Sequence, residues 1–86
     1  SPIRVNAYPN PFPTSTNISF ALKNRCRVNA DIYDALGKNI KTLFSGFMDE
    51  GQRNLTFDGS ALPSGSYLVV LRVGAETFTS WITLTK

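Results

Sequence analysis

Apolar residues recur at every second position in the last third of the chain, and this alternation constrains the fold more than any other feature of the sequence. It runs over residues 67–73 and again over 78–84, with Gly74-Ala75 between the two runs. A period of two is typical of strands that bury one face, and a glycine break between two such runs predicts a β-hairpin. We therefore expect a terminal hairpin that extends almost to Lys86 and is entered through a bend at residues 62–65.

The same period recurs upstream, and no segment has a helical period over three turns. The predicted upstream strands are residues 3–7, 17–22, 26–33, 39–44 and 52–57. Between the third and fourth of these, Asp34 and Gly37 favour a hairpin turn, because aspartate bonds its own downstream backbone and glycine accepts positive φ. Residues 45–51 are expected to form a loop in which Phe47 or Met48 packs under the sandwich.

Seven short strands separated by Gly, Pro and Asp predict an all-β fold. The arrangement expected is a seven-stranded immunoglobulin-like antiparallel β-sandwich, and a small closed barrel is the alternative. With 86 residues the chain has room for one domain and one core.

Three aromatic residues require a place in this fold. Tyr8 and Phe12 flank the proline-rich segment 9–13, and we expect them to seal one end of the core. The alternative is that they stand exposed as a ligand-stacking pair. Trp81 lies in the outward register of the last strand, so it either covers an end or edge of the sandwich or belongs to a contact surface.

The charge pattern gives little support to a nucleic-acid or membrane partner. The formal net charge is +3, and the one basic cluster is Lys23, Arg25 and Arg27 beside a turn. We interpret it as a solvated turn that protects a sheet edge, although such a cluster also suits phosphate or an acidic surface. No nucleic-acid-binding motif accompanies it, and no apolar run is long enough to insert directly into a membrane.

The residues needed for catalysis or metal binding are scarce. The chain has no histidine, and its single cysteine, Cys26, lacks a base and is interpreted as a packed thiol. The acidic residues fall at predicted turns or outward strand positions, and even Asp49 and Glu50 beside Gly51 lack the oxygen-rich loop of a calcium site. We therefore expect no enzyme, no metal and no cofactor.

Several short motifs occur in a fixed order along the chain. They are Tyr8-Pro-Asn-Pro-Phe12, Ile18-Ser-Phe20-x-Leu22, Asp34-x-x-Gly37-Lys38, Gly51 before a strand, and Leu62-Pro-Ser-Gly-Ser-Tyr67 followed by a final strand ending near Lys86. Each is common alone, but together they resemble the type A C-terminal sorting domain of the type IX secretion system. The resemblance covers nearly the whole chain.

This resemblance implies that residues 1–86 form a single non-catalytic C-terminal domain of a larger secreted protein. Its implied partners are an N-terminal cargo domain, the outer-membrane translocon and a sortase-like peptidase that cleaves the domain when the cargo is attached to the surface. The implied location is the cell surface or the medium of a Gram-negative bacterium, reached through the periplasm.

The resemblance also implies roles for individual residues. The translocon-recognition determinants would be Asp34, Gly37, Lys38, Gly65, Tyr67 and Lys86. Pro9, Asn10 and Pro11 would mark the start of the domain, near which cleavage would fall. Because the terminal hairpin presents extended backbone, we expect capture of the domain by strand addition.

Two other functions fit the same sequence. The segment from Phe57 to Tyr67 also resembles the immunoglobulin-like domain of flagellar hook-capping proteins, which serves as an assembly scaffold. An accessory glycan-binding module of a secreted hydrolase is the other alternative, with Tyr8, Phe12 or Trp81 as stacking platforms.

Overall fold

The computed structural model describes residues 3–86, which form seven β-strands in two antiparallel sheets. The strands are β1 (Asn6–Tyr8), β2 (Ser15–Leu22), β3 (Cys26–Asp34), β4 (Asn39–Met48), β5 (Gly51–Asp58), β6 (Gly65–Val73) and β7 (Glu76–Leu84). One sheet has the order β1-β2-β5 and the other β4-β3-β6-β7. The all-β, sandwich-like prediction is confirmed. No helix long and apolar enough to cross a membrane occurs within the described part of the chain.

The core lies between the two sheets and follows from the alternation of each strand. In β2 the inward residues are Ile18, Phe20 and Leu22, and all three are buried. Most of the buried apolar residues form two clusters. The first contains Phe12, Ile18, Ile32, Phe57, Tyr67, Val69, Ile82 and Leu84. The second contains Phe20, Leu22, Val28, Ala30, Leu71 and Val73, and half-buried Cys26 packs against it.

The predicted loop at residues 45–51 is wrong, because β4 continues to Met48 and only Asp49 and Glu50 lie between it and β5. Serine and glycine are common in turns, yet Gly46 lies within the ladder opposite Val28. The alternation is also broken on β4, since its pairing with β3 shifts register twice. Each shift inserts one residue and moves the following side chains to the other face.

The aromatic predictions are correct in part. Phe12 is fully buried, so it seals the core as expected and cannot act as an exposed stacking ring. Tyr8 is 81% exposed, which corrects the expectation that it seals the core. The reason is the register of β1, in which Ala7 packs against the core and its neighbour Tyr8 points away. Phe47 is likewise exposed, whereas Met48 packs against the second cluster.

Candidate functional site

Three of the five sequence motifs come together at one end of the sandwich, whereas Leu22 and Gly51 pair with each other at the opposite end. Asp34 at the end of β3 is opposite Tyr67 near the start of β6, and Tyr67 is opposite Ile82 of β7. Leu84 pairs with Gly65 on one side and forms a parallel bridge to Phe12 on the other. We call this region the motif end and define it as residues 9–12, 34–38, 58–67 and 82–86.

The β3–β4 turn is closed by hydrogen bonds to Asp34 and presents exposed side chains. The Asp34 carboxylate accepts hydrogen bonds from the backbone N–H groups of Leu36 and Lys38, both at 2.9 Å. The Gly37 N–H donates to the Asp34 carbonyl at 3.0 Å, and Gly37 has a φ of 88°. The predicted turn chemistry is confirmed. The hydrogen bonds to Asp34 hold the backbone of Leu36 and Lys38 at the tip of the turn, where both side chains are exposed, Leu36 by 95%.

Tyr67 shapes the motif end from inside the core. Its hydroxyl donates to the Pro63 carbonyl at 2.6 Å, and its ring meets the Phe57 ring edge-on at 6.1 Å between centroids. A tyrosine bonded to backbone a few residues upstream is typical of immunoglobulin-like domains. Because Tyr67 is buried, it positions the bend before β6 and does not itself reach the surface.

The Pro9-Asn10-Pro11 segment pairs with the outer edge of β7. Asn10 Oδ1 accepts from the Thr83 N–H at 3.0 Å, and Asn10 Nδ2 donates to the Trp81 carbonyl at 3.3 Å. The Asn10 side-chain amide therefore bonds as the peptide group of a neighbouring strand would. The peptide bonds before both prolines are cis.

Phe12 continues this pairing with its backbone. Its N–H donates to the Thr83 carbonyl and its carbonyl accepts from the Thr85 N–H, both at 2.9 Å. The Pro9 carbonyl in addition accepts from the Thr16 hydroxyl at 2.8 Å. The segment is thus part of the folded domain and covers the edge of β7 from Trp81 to Thr85.

Charged side chains of both signs lie at or beside the motif end. Lys86 donates from its backbone N–H to Ser64 Oγ at 2.9 Å and from Nζ to the Ser60 carbonyl at 2.6 Å. The pKa of Asp58 is lowered, first by the Ser60 N–H, then by the Ser60 hydroxyl, and further by the charges of Lys41 and Lys86. Two lysines thus lie close enough to Asp58 to act on it, and Lys38 projects from the adjacent turn.

Trp81 points outward as predicted and is 56% exposed. Register places it beside Leu68 of β6, which is in turn opposite Tyr33 of β3. These three residues form a row across the outer face of the four-stranded sheet, since residues opposite each other in an antiparallel ladder share a face. Trp81 therefore does not cover an end of the core.

One charged pair on this outer face was not found by sequence reasoning. Asp31 is 9% exposed, accepts from the Thr42 hydroxyl at 2.6 Å and lies 3.4 Å from Arg72. The alternation correctly placed Asp31 outward, but only the pairing of β3 with β4 and β6 brings Thr42 and Arg72 to it. The pair lies in the middle of the sheet and holds three strands together.

The opposite end of the sandwich holds the basic cluster and the suggested calcium residues. Arg25 forms an ion pair with Asp49 at 2.6 Å and lies over the Phe47 ring. Arg53 donates to the carbonyls of Asp49 and Glu50. Within residues 3–86, no three His, Cys, Asp or Glu side chains lie close enough together to hold a metal ion.

Comparison with known proteins assigns the whole fold to one family. A family model described as the secretion system C-terminal sorting domain matches residues 6–84, from the first residue of β1 to the last residue of β7. A search of the curated proteins finds no match to this chain. The family is one of sorting signals and not of catalysts. The chain therefore belongs to the C-terminal sorting domains of the bacterial type IX secretion system, which direct proteins to the cell surface or the extracellular space.

Proposed function

We propose that this domain directs an N-terminal cargo through the outer-membrane translocon of the type IX system and that the translocon reads the motif end. The observation that carries the proposal is the convergence there of segments far apart in sequence, including residues 9–12, 34–38 and 82–86. Because these segments meet only in the folded sandwich, a receptor that contacts this end binds only a folded domain.

The determinants divide into residues that shape the surface and residues that meet the partner. Asp34, Gly37 and Tyr67 are engaged in turn and core contacts, while Gly65 begins β6 opposite Leu84. Lys38 and Lys86 are exposed and carry charge. An acidic receptor surface complements them, and charge complementarity contributes mainly to the rate and specificity of association.

The proposed cleavage falls before Asn6. Residues from Asn6 onward are held by the β1–β2 ladder, by the bonds of Asn10 to β7 and by the burial of Phe12. A sortase-like peptidase needs a segment that it can bind in extended form, and a chain already paired with two sheets is not free to enter its active site. Pro9, Asn10 and Pro11 therefore lie inside the folded domain, after β1, and do not mark the cleaved bond.

The test is an export assay in a host with type IX machinery, with the domain fused behind a periplasm-directed fluorescent protein. The variant Lys38→Glu/Lys86→Glu reverses two charges at the motif end. Its control, Arg4→Glu/Arg27→Glu, makes the same change in net charge away from that end, at exposed residues. We expect export to fall at least about tenfold for the first variant and by less than about twofold for the control.

Equal export of the two charge-reversal variants would show that the translocon does not read the charges of the motif end. Purified domains carrying each pair of changes should first be shown to unfold at similar temperatures, so that a loss of export reports recognition and not folding. Periplasmic retention of the unchanged fusion would instead contradict the sorting function itself.

A further inference from the structure

The outer edge of β7 is covered over only half of its length. On the covered half, the Thr83 N–H donates to the Asn10 side chain and the Thr83 carbonyl accepts from the Phe12 N–H. The Trp81 carbonyl accepts from the Asn10 side chain. In an antiparallel strand the backbone groups of alternate residues point to the same side. The N–H and C=O groups of Thr77 and Thr79, together with the Trp81 N–H, therefore point to the same outer edge.

This second half of the edge is open. Thr77, Thr79 and Trp81 are all exposed, and their outward backbone groups have no hydrogen-bond partner within residues 3–86. The open segment from Thr77 to Trp81 spans about 13 Å at the usual rise per residue. It ends at the Gly74-Ala75 turn on one side and at Asn10 on the other.

The other edge of the same sheet is less suited to pairing. There, β4 is interrupted by two register shifts and carries Lys41, and irregularity and lysine are both devices that protect an edge strand. The open segment of β7 contains no lysine, and its strand pairs with β6 in regular register from Gly65–Leu84 to Val73–Glu76. A regular row of unpaired backbone groups is suited to bind another extended chain.

We infer that the β7 edge from Thr77 to Trp81 binds an extended segment of a type IX secretion protein by strand addition. Backbone bonds to Thr77 and Thr79 provide the affinity, and an apolar side chain of the incoming segment packs beside the exposed Trp81 ring. A second copy of this chain is a poorer occupant because each copy carries a net charge of +3. The inference rests on the proposed sorting function and adds a binding surface to the motif end.

The most direct test removes one backbone N–H that points to the open edge, that of Thr79. Proline lacks this donor and is tolerated on an edge strand when the donor faces away from the sheet. Thr79→Pro therefore removes a bond to the incoming strand and leaves the ladder with β6 intact. Thr79→Val keeps the donor and nearly the same side-chain shape, so it is the matched control. Thr77→Pro serves as the second variant if Thr79→Pro does not fold.

In the export assay described above, we expect Thr79→Pro to lower export about tenfold and Thr79→Val to leave it within about twofold. Normal export of a folded Thr79→Pro fusion would overturn the inference and leave the sorting function standing. Failure of the unchanged fusion to be exported would instead contradict the sorting function.

Two measurements on the purified domain address the edge directly. Hydrogen exchange should be fast at the Thr77 and Thr79 amides and slow at the Thr83 and Thr85 amides, and slow exchange at Thr79 would overturn the inference. Light scattering should show a monomer. A dimer that Thr79→Pro dissociates would make a second copy the occupant and overturn the assignment to the secretion machinery.

Discussion

At the scale of single residues, Tyr67 joins the core to the motif end. Its ring lies in a line of three aromatic rings, with Phe57 in the middle and Phe12 beyond it. Its hydroxyl reaches back to the Pro63 carbonyl and holds the bend that leads into β6. Loss of the hydroxyl should therefore weaken the bend and leave the aromatic packing in place.

We predict that Tyr67→Phe lowers the free energy of unfolding by about 1 kcal/mol, the net value of a typical buried hydrogen bond. Urea denaturation measures this change. Tyr33→Phe is the matched control, because Tyr33 is half-buried on the outer face and its hydroxyl has no partner within residues 3–86. That control should change stability by less than about 0.5 kcal/mol. Equal effects of the two changes would contradict the role of the Pro63 bond.

Asp58 provides a prediction about pH. Its pKa in the folded protein lies below the ordinary value of 3.8, chiefly because of the Ser60 N–H and hydroxyl. A lowered pKa stabilises the fold above the pKa of the unfolded chain, and this contribution is lost as pH falls through the folded pKa. Ser60→Ala should therefore raise the pKa of Asp58 toward 3.8, as followed by carboxyl carbon shifts in an NMR titration. An unchanged pKa would show that the hydroxyl contributes nothing.

Residue patterns predicted Phe12 and Trp81 correctly but not Tyr8. Alternation specifies which face of a strand a residue occupies, and Trp81 follows from it directly. The predicted strand at residues 3–7 stops before Tyr8, whereas β1 includes Tyr8, so the alternation that turns Val5 and Ala7 toward the core turns Tyr8 away from it. The prediction for Tyr8 rests on its place beside the proline-rich segment, and that place does not decide which way the side chain points.

At the scale of elements, β7 depends on a segment that is not a strand. The Asn10 side chain and the Phe12 backbone together occupy the edge of β7 from Trp81 to Thr85. No sequence pattern indicates that an asparagine between two prolines will pair with a strand more than seventy residues later. The strands themselves were predictable wherever they bury one face without a register shift, as in β2 and β6.

We predict that Asn10→Ala exposes this part of the edge. The Thr83 N–H loses its acceptor, so its hydrogen exchange should become about tenfold faster. The exchange of the Thr85 N–H, which bonds to Phe12, should change less. Asn24→Ala, at an exposed residue in the turn between β2 and β3, is the control and should leave both amides unchanged. Unchanged exchange at Thr83 after Asn10→Ala would contradict the proposed edge coverage.

At the scale of the whole molecule, the sandwich brings three of the sequence motifs together at one end. Chain order separates the Asp34 turn from Lys86, yet the antiparallel order β3-β6-β7 brings the end of β3, the start of β6 and the end of β7 together. Resemblance could supply the motifs but not their arrangement, which depends on strand pairing between distant segments. The approach of Lys41 and Lys86 to Asp58 likewise depends on the fold and not on chain order.

The central claim is that this folded domain is sufficient to sort a cargo through the type IX system. The most direct measurement is the distribution of a periplasm-directed fluorescent protein fused to residues 1–86, compared between a type IX host and the same host without its translocon. We predict fluorescence at the surface or in the medium of the intact host and retention in the periplasm of the deficient host. Periplasmic retention of a folded fusion in both hosts, or export from both, would contradict the claim.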